Sequence, residues 1–111
     1  MLNVTIMPIA EADIDEAYKW WDEHRSAEQA QRWYREIYPA IQGLSESAPR
    51  RPQSPEAAEL GVDIREFYFG LGSQPTHRVV FIIENTVVKV LRVLHLSRSR
   101  LQLSDINPKF A

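Results

Sequence analysis

Residues 87–100, VVKVLRVLHLSRSR, begin as a run of strand formers and then deliver His95, Arg98 and Arg100 within six residues. Guanidinium groups are permanently charged forks that suit phosphate or carboxylate, and imidazole is the side chain whose proton affinity lies near neutrality. Two more arginines sit in apolar, strand-like surroundings, where folding does not require a charge: Arg65 in VDIREFYF and Arg78 in THRVVFIIE. Together, Arg65, Arg78, His95 and Arg98 could hold a phosphate and stabilise a developing oxyanion. The same residues have a plainer reading, because arginines at sheet edges often pair with carboxylates and a histidine at a strand end is often just half-buried.

The elements that would position these residues can be read from hydrophobic period. Residues Leu2 to Met7 suggest a short first strand, and Pro8 stands where a helix can begin. Ile14, Ala17, Tyr18 and Trp21 then recur as one buried helical stripe, with Asp13, Asp15, Glu16, Asp22 and Glu23 outside it, which predicts a helix over residues 10–24. Ser26 and Gln29 have capping-box spacing, so a second helix is expected there, its stripe running through Ala27, Ala30, Tyr34, Ile37, Ile41 and Leu44, with a kink at Pro39. Residues 48–60 hold three prolines and read as a connector. Three strands follow, VDIREFYF, THRVVFIIE and TVVKVLRVLHL, the last two joined by a tight turn at Asn85 and Thr86.

This order predicts an α+β fold in one domain over residues 1–111: an N-terminal strand, then an antiparallel helical hairpin on one face of a small, mainly antiparallel sheet. The uncovered face is where function is expected. If Glu84 faces Val87, Arg78 lies opposite Val93 and His95 is its diagonal neighbour, roughly 7–8 Å away on the same face. A one-residue slip would send the two to opposite faces. Trp20, Trp21, Trp33, Tyr34 and Tyr38 are read as packing residues and His24 as a solvated helix end.

Composition narrows the classes. There is no cysteine, and His24, His77 and His95 lack ligand spacing, so neither a metal nor another cofactor is expected. No run approaches the ~18 apolar residues of a membrane span, and no basic leader precedes the acidic residues at position 11, so a cytoplasmic protein without membrane contact is expected. The net charge of -2 conceals a segregation: residues 1–64 carry six Lys or Arg against twelve Asp or Glu, and residues 65–111 carry seven against three. Any anionic ligand should therefore meet the second part of the chain.

The ordered set AEADIDEAYKWW, AEQAQRWYREIYPAIQGL, IREFYFG, HRVVFIIENTVVKVLRVLH and HLSRSR resembles the RelE/ParE superfamily of bacterial type II toxin–antitoxin toxins, also known as plasmid stabilisation proteins. The resemblance implies a growth-inhibiting cytoplasmic toxin in a hetero-oligomer with a cognate antitoxin. RelE-like members cut mRNA on the ribosome and ParE-like members poison DNA gyrase. Residues 99–111 hold no tyrosine, and the strand bearing Arg65 lacks the neighbouring lysines of the RelE-like nucleases, so the resemblance leans towards ParE and gyrase. By position, Arg65, Arg78 and Arg98 match the superfamily's basic sheet positions and His95 its strand-end histidine. If the chain is instead an mRNA interferase, His95 is the acid or base for attack by a ribose 2′-hydroxyl and the three arginines stabilise the charge. For a gyrase poison, the basic face and the tail LQLSDINPKF would form a binding surface, and the tail's apolar set of Leu101, Leu103, Ile106 and Phe110 could dock on the domain's own core or on a partner. A third reading is an inactive binding module that keeps the fold.

Overall fold

Local signals place the helices. Pro8 opens α1 (Pro8–His24) at a position where its missing N–H costs nothing, and Ala10, Ile14, Ala17 and Trp21 form its buried stripe. Ser26 caps α2 (Ala27–Gln42), its Oγ accepting the Gln29 N–H at 3.1 Å. The second half of the expected box is different: the Ser26 hydroxyl donates to Gln29 Oε1 at 3.4 Å. The stripe of α2 is Ala30, Trp33, Ile37 and Ile41; Trp33, rather than Tyr34, fills the interior position, and Ala27 is exposed. Pro39 lies inside the helix, which continues to Gln42 before the short α3 (Leu44–Ser47).

The computed structural model describes residues 1–97 and 100–106. Its sheet has the order β1-β4-β3-β2, with β1 (Asn3–Ile6) parallel to β4 (Val87–His95), and β3 (His77–Glu84) antiparallel to both β4 and β2 (Arg65–Phe69). Asn85 takes a left-handed φ of 58° in the β3–β4 turn, a conformation its short polar side chain tolerates. The α1–α2 hairpin covers one face, where Trp33, Phe81, Ile14, Ile37 and Ile41 are fully buried. An α+β domain of the expected kind results.

The opposite face is not open. The connector, a 3-10 turn (Ala48–Arg50) and then α4 (Ala57–Leu60), crosses it together with residues 100–106, which include the short α5 (Leu103–Ile106). Ala57, Ile64, Val80, Leu94 and Leu101 form a second apolar cluster there, with Leu60, Val62, Ile82 and Ile106 packed against it. The connector also shields the outer edge of β2, through a bridge from Gln53 to Arg65 and the Glu66 N–H on the Pro52 carbonyl. The expectation of an uncovered functional face is thus corrected: residues that looked like loop and tail are the second cover. Of the apolar tail set, Leu101 is buried, Ile106 packs on this cluster and Leu103 is exposed, while Phe110 lies outside the described residues. Among the described residues no helix is long and apolar enough to cross a membrane.

Candidate functional site

A single extra residue decides what the β3–β4 hairpin brings together. Glu84 faces Val87 as expected, and the register holds to Phe81–Val90, but the next pair is Val80–Arg92. Leu91 has no partner, and the bulge advances β4 by one position. Arg78 therefore pairs with Leu94, not Val93, and His95 pairs with His77. Because side chains alternate across a strand, Arg78 and His95 lie on opposite faces of the sheet, and the expected diagonal contact does not form. The bulge falls where β1 stops pairing, at Val90. Beyond it Asp13 of α1 takes over the edge: its carboxylate accepts the Val93 N–H at 2.9 Å and two bonds from Arg92, at 2.7 and 2.9 Å.

On the connector-covered face, Arg78 is clamped between two carboxylates. It donates to Glu56 at 2.9 and 2.6 Å and to Glu66 at 2.9 Å. Only 12% of the Arg78 side chain is exposed, against 3% and 7% for its partners, so its charge is spent inside the protein. Hydrogen bonding to Arg78 lowers the Glu56 pKa to about 2, against the opposing effect of burial, and the same bonds raise that of Arg78. Glu56 also accepts the Leu101 N–H at 3.2 Å, which ties the chain after β4 to the connector. Arg65 is committed differently: its Nη1 donates to the Pro49 and Arg51 carbonyls at 3.0 and 2.9 Å, and its Nη2 lies 3.2 Å from Asp63. Arg98 lies outside the described residues.

His95 faces the helical hairpin. A cavity of about 270 Å³ opens beside it, lined among others by Asp13, Glu16, Trp20, His77 and Ser97. The rings form a continuous series: His24 stacks on Trp20 at 5.0 Å, Trp20 lies 5.8 Å from His95, His95 5.1 Å from His77, and His77 5.0 Å from Trp33. His77 is 3% exposed, its Nδ1 2.8 Å from the Thr76 hydroxyl. Burial, helped by the neighbouring His95, drops the His77 pKa to about 4, so its ring is neutral at physiological pH. The cavity thus combines imidazole, indole and carboxylate groups, a lining suited to hydrogen bonding and stacking rather than to phosphate capture. Among the described residues no group of three or more His, Cys, Asp or Glu is placed to hold a metal ion.

Residues 4–100 match the family described as ParE toxin of type II toxin-antitoxin system, parDE. The chain belongs to the ParE toxin family. It is therefore a type II toxin–antitoxin toxin of the RelE/ParE superfamily. In structure it is similar to a chain of the chromosomal ParDE TA system from P. aeruginosa, with a TM-score of 0.70 and 16% identity over 87% of this chain and 98% of that one. At that identity the likeness speaks for the fold. No curated protein sequence matches it.

Within this ParE fold, sequence reasoning missed His77, Asp13 and Arg92. His77 had a usable signal: it precedes the apolar alternation of β3 by one step, on the face shared by Val79 and Phe81. Asp13 and Arg92 had none, because 79 residues separate them. Trp20, read only as packing, lines the cavity and meets both His24 and His95.

Proposed function

We propose that this ParE-family chain arrests bacterial growth by binding and poisoning DNA gyrase, acting as a protein ligand rather than as an mRNA endonuclease. The observation that carries this reading is the commitment of the guanidiniums: Arg78 is neutralised by Glu56 and Glu66, and Arg65 is engaged by two carbonyls and Asp63. Cutting RNA demands cations that are free to meet a phosphate in the transition state. In this reading Arg65 and Arg78 are scaffold, while His95, at the end of β4, belongs to the target-facing surface, a role Arg98 shares by its place in the sequence. A cognate antitoxin neutralises the toxin in the cytoplasm by covering that end in a hetero-oligomer.

Purified protein added to gyrase and supercoiled plasmid tests the proposal, with transcript 5′ ends mapped in cells after induction without antitoxin. The expected result is protein-linked, cleaved plasmid and intact transcripts. New cuts within translated codons, with gyrase unaffected, would replace this reading with the ribosome-dependent nuclease. An induced, folded protein that leaves growth, gyrase and transcripts untouched would identify an inactive module.

A further inference from the structure

We propose that His95 is a proton-operated latch on the turn leading out of β4, closed when its ring is neutral and opened when the ring takes up a proton. The assignment rests on one bond. The backbone N–H of Ser97 donates to His95 Nδ1 at 3.2 Å, and Ser97 Oγ lies 2.8 Å from the same nitrogen. A backbone N–H has only a proton to give, so Nδ1 must present its lone pair and the neutral ring carries its hydrogen on Nε2. Protonating Nδ1 sets N–H against N–H. The Ser97 amide loses its acceptor, and the hydroxyl must turn round to receive a hydrogen bond instead of donating one.

The surroundings can accommodate the charged ring. From α1, Asp13 and Glu16 line the same cavity and Trp20 presents its indole; from β3, His77 faces His95 across 5.1 Å. Asp13 is shared with Arg92 and the Val93 N–H, and Glu16 has interactions of its own. His77 stays neutral down to about pH 4, so it does not repel a cation on His95 above that.

The latch sits between two fixed points. Before it, the Leu96 N–H is held by the Thr76 carbonyl at 2.9 Å; after it, the Leu101 N–H is held by Glu56 and Arg100 pairs with Glu59. Protonation at Nδ1 therefore withdraws the acceptor of the Ser97 N–H while the strand and the cover on the far face keep these bonds. This inference is independent of which cellular target the toxin engages.

Amide exchange of the full-length protein, followed by NMR from pH 8 to pH 5 alongside the ring nitrogen resonances of His95, tests it. A His95→Asn variant is the control, because an asparagine carbonyl accepts the N–H two residues on and does not titrate. Expected is a roughly tenfold loss of Ser97 protection wherever the ring resonances show a proton on Nδ1, the size of one modest hydrogen bond, with Leu96 protection kept and no pH response at Ser97 in the variant. Unchanged Ser97 protection in the natural chain, or the same loss in His95→Asn, would overturn the latch. A His95 ring already protonated on Nδ1 at pH 8 would overturn it without any variant.

Discussion

The two faces of this sheet are closed by different physics. Under the helical hairpin the core is apolar and aromatic, and a deeply buried titratable group there, His77, is kept neutral by burial. Under the connector and the chain after β4 the apolar cluster is smaller, and a buried ionic clamp of Glu56, Arg78 and Glu66 stands beside it. A guanidinium in a strand can thus be committed inside the protein; here Arg78 is clamped under the cover of the face that the α1–α2 hairpin does not reach. The ring series and cavity lie on the other side, where imidazole, indole and carboxylate groups line the opening.

Removing one member of the clamp should sharpen the contrast most. Arg78→Met leaves Glu56 and Glu66 buried without their cation, an expected loss of about 3–5 kcal/mol in urea unfolding. A loss below about 1 kcal/mol, the size of a surface pair, would mean that the clamp does not hold this face. Next comes the edge of β4: Asp13→Ala strips the Arg92 pair and the Val93 N–H of their acceptor, for an expected ~2–3 kcal/mol, read in the same way.

The neutral face is expected to respond to pH. His77 has a folded pKa of about 4 against an ordinary 6.5, so the unfolded chain binds more protons between these values. Stability contributed by neutral burial is complete above pH 6.5 and falls as pH drops towards 4, by up to about 1.4 kcal/mol per pH unit. His77→Phe should flatten this limb in unfolding measured from pH 7 to pH 4; an unchanged slope would locate the acid sensitivity elsewhere. The clamp answers to pH in a lower window, because Glu56, depressed from 4.5 to about 2, contributes stability that is present above 4.5 and lost as pH falls towards 2. Smallest of all is Arg100→Ala, whose pair with Glu59 is about two-thirds exposed on both sides and should change stability by no more than ~0.5 kcal/mol. A larger loss would show that the cover depends on its surface pairs as well as on its buried clamp.

The helices and the turn were legible because their causes are local. A cap at Ser26, a stripe through Ile14, Ala17 and Trp21, and an asparagine at the β3–β4 turn each act within a few residues. The bulge at Leu91 was not, since an extra residue in VVKVLRVL leaves the apolar run looking the same while reversing every later side chain. Nor was the clamp, which joins Glu56 of the connector to Arg78 of β3 across 22 residues. The expected meeting of Arg78 with His95 failed for these two reasons, and His95 kept its place at the strand end while acquiring His77 and Trp20 as neighbours.

The measurement that bears most directly on the central claim is the growth of cells expressing the triple variant Arg78→Met, Glu56→Gln, Glu66→Gln. Replacing a buried ionic group as a whole by neutral side chains of similar volume often preserves a fold that loss of one partner would disrupt. The account predicts a folded triple variant that still arrests growth, because Arg78 closes a face and touches no target. A triple variant that folds, by circular dichroism and cooperative unfolding, yet no longer arrests growth would contradict it and return Arg78 to the functional site.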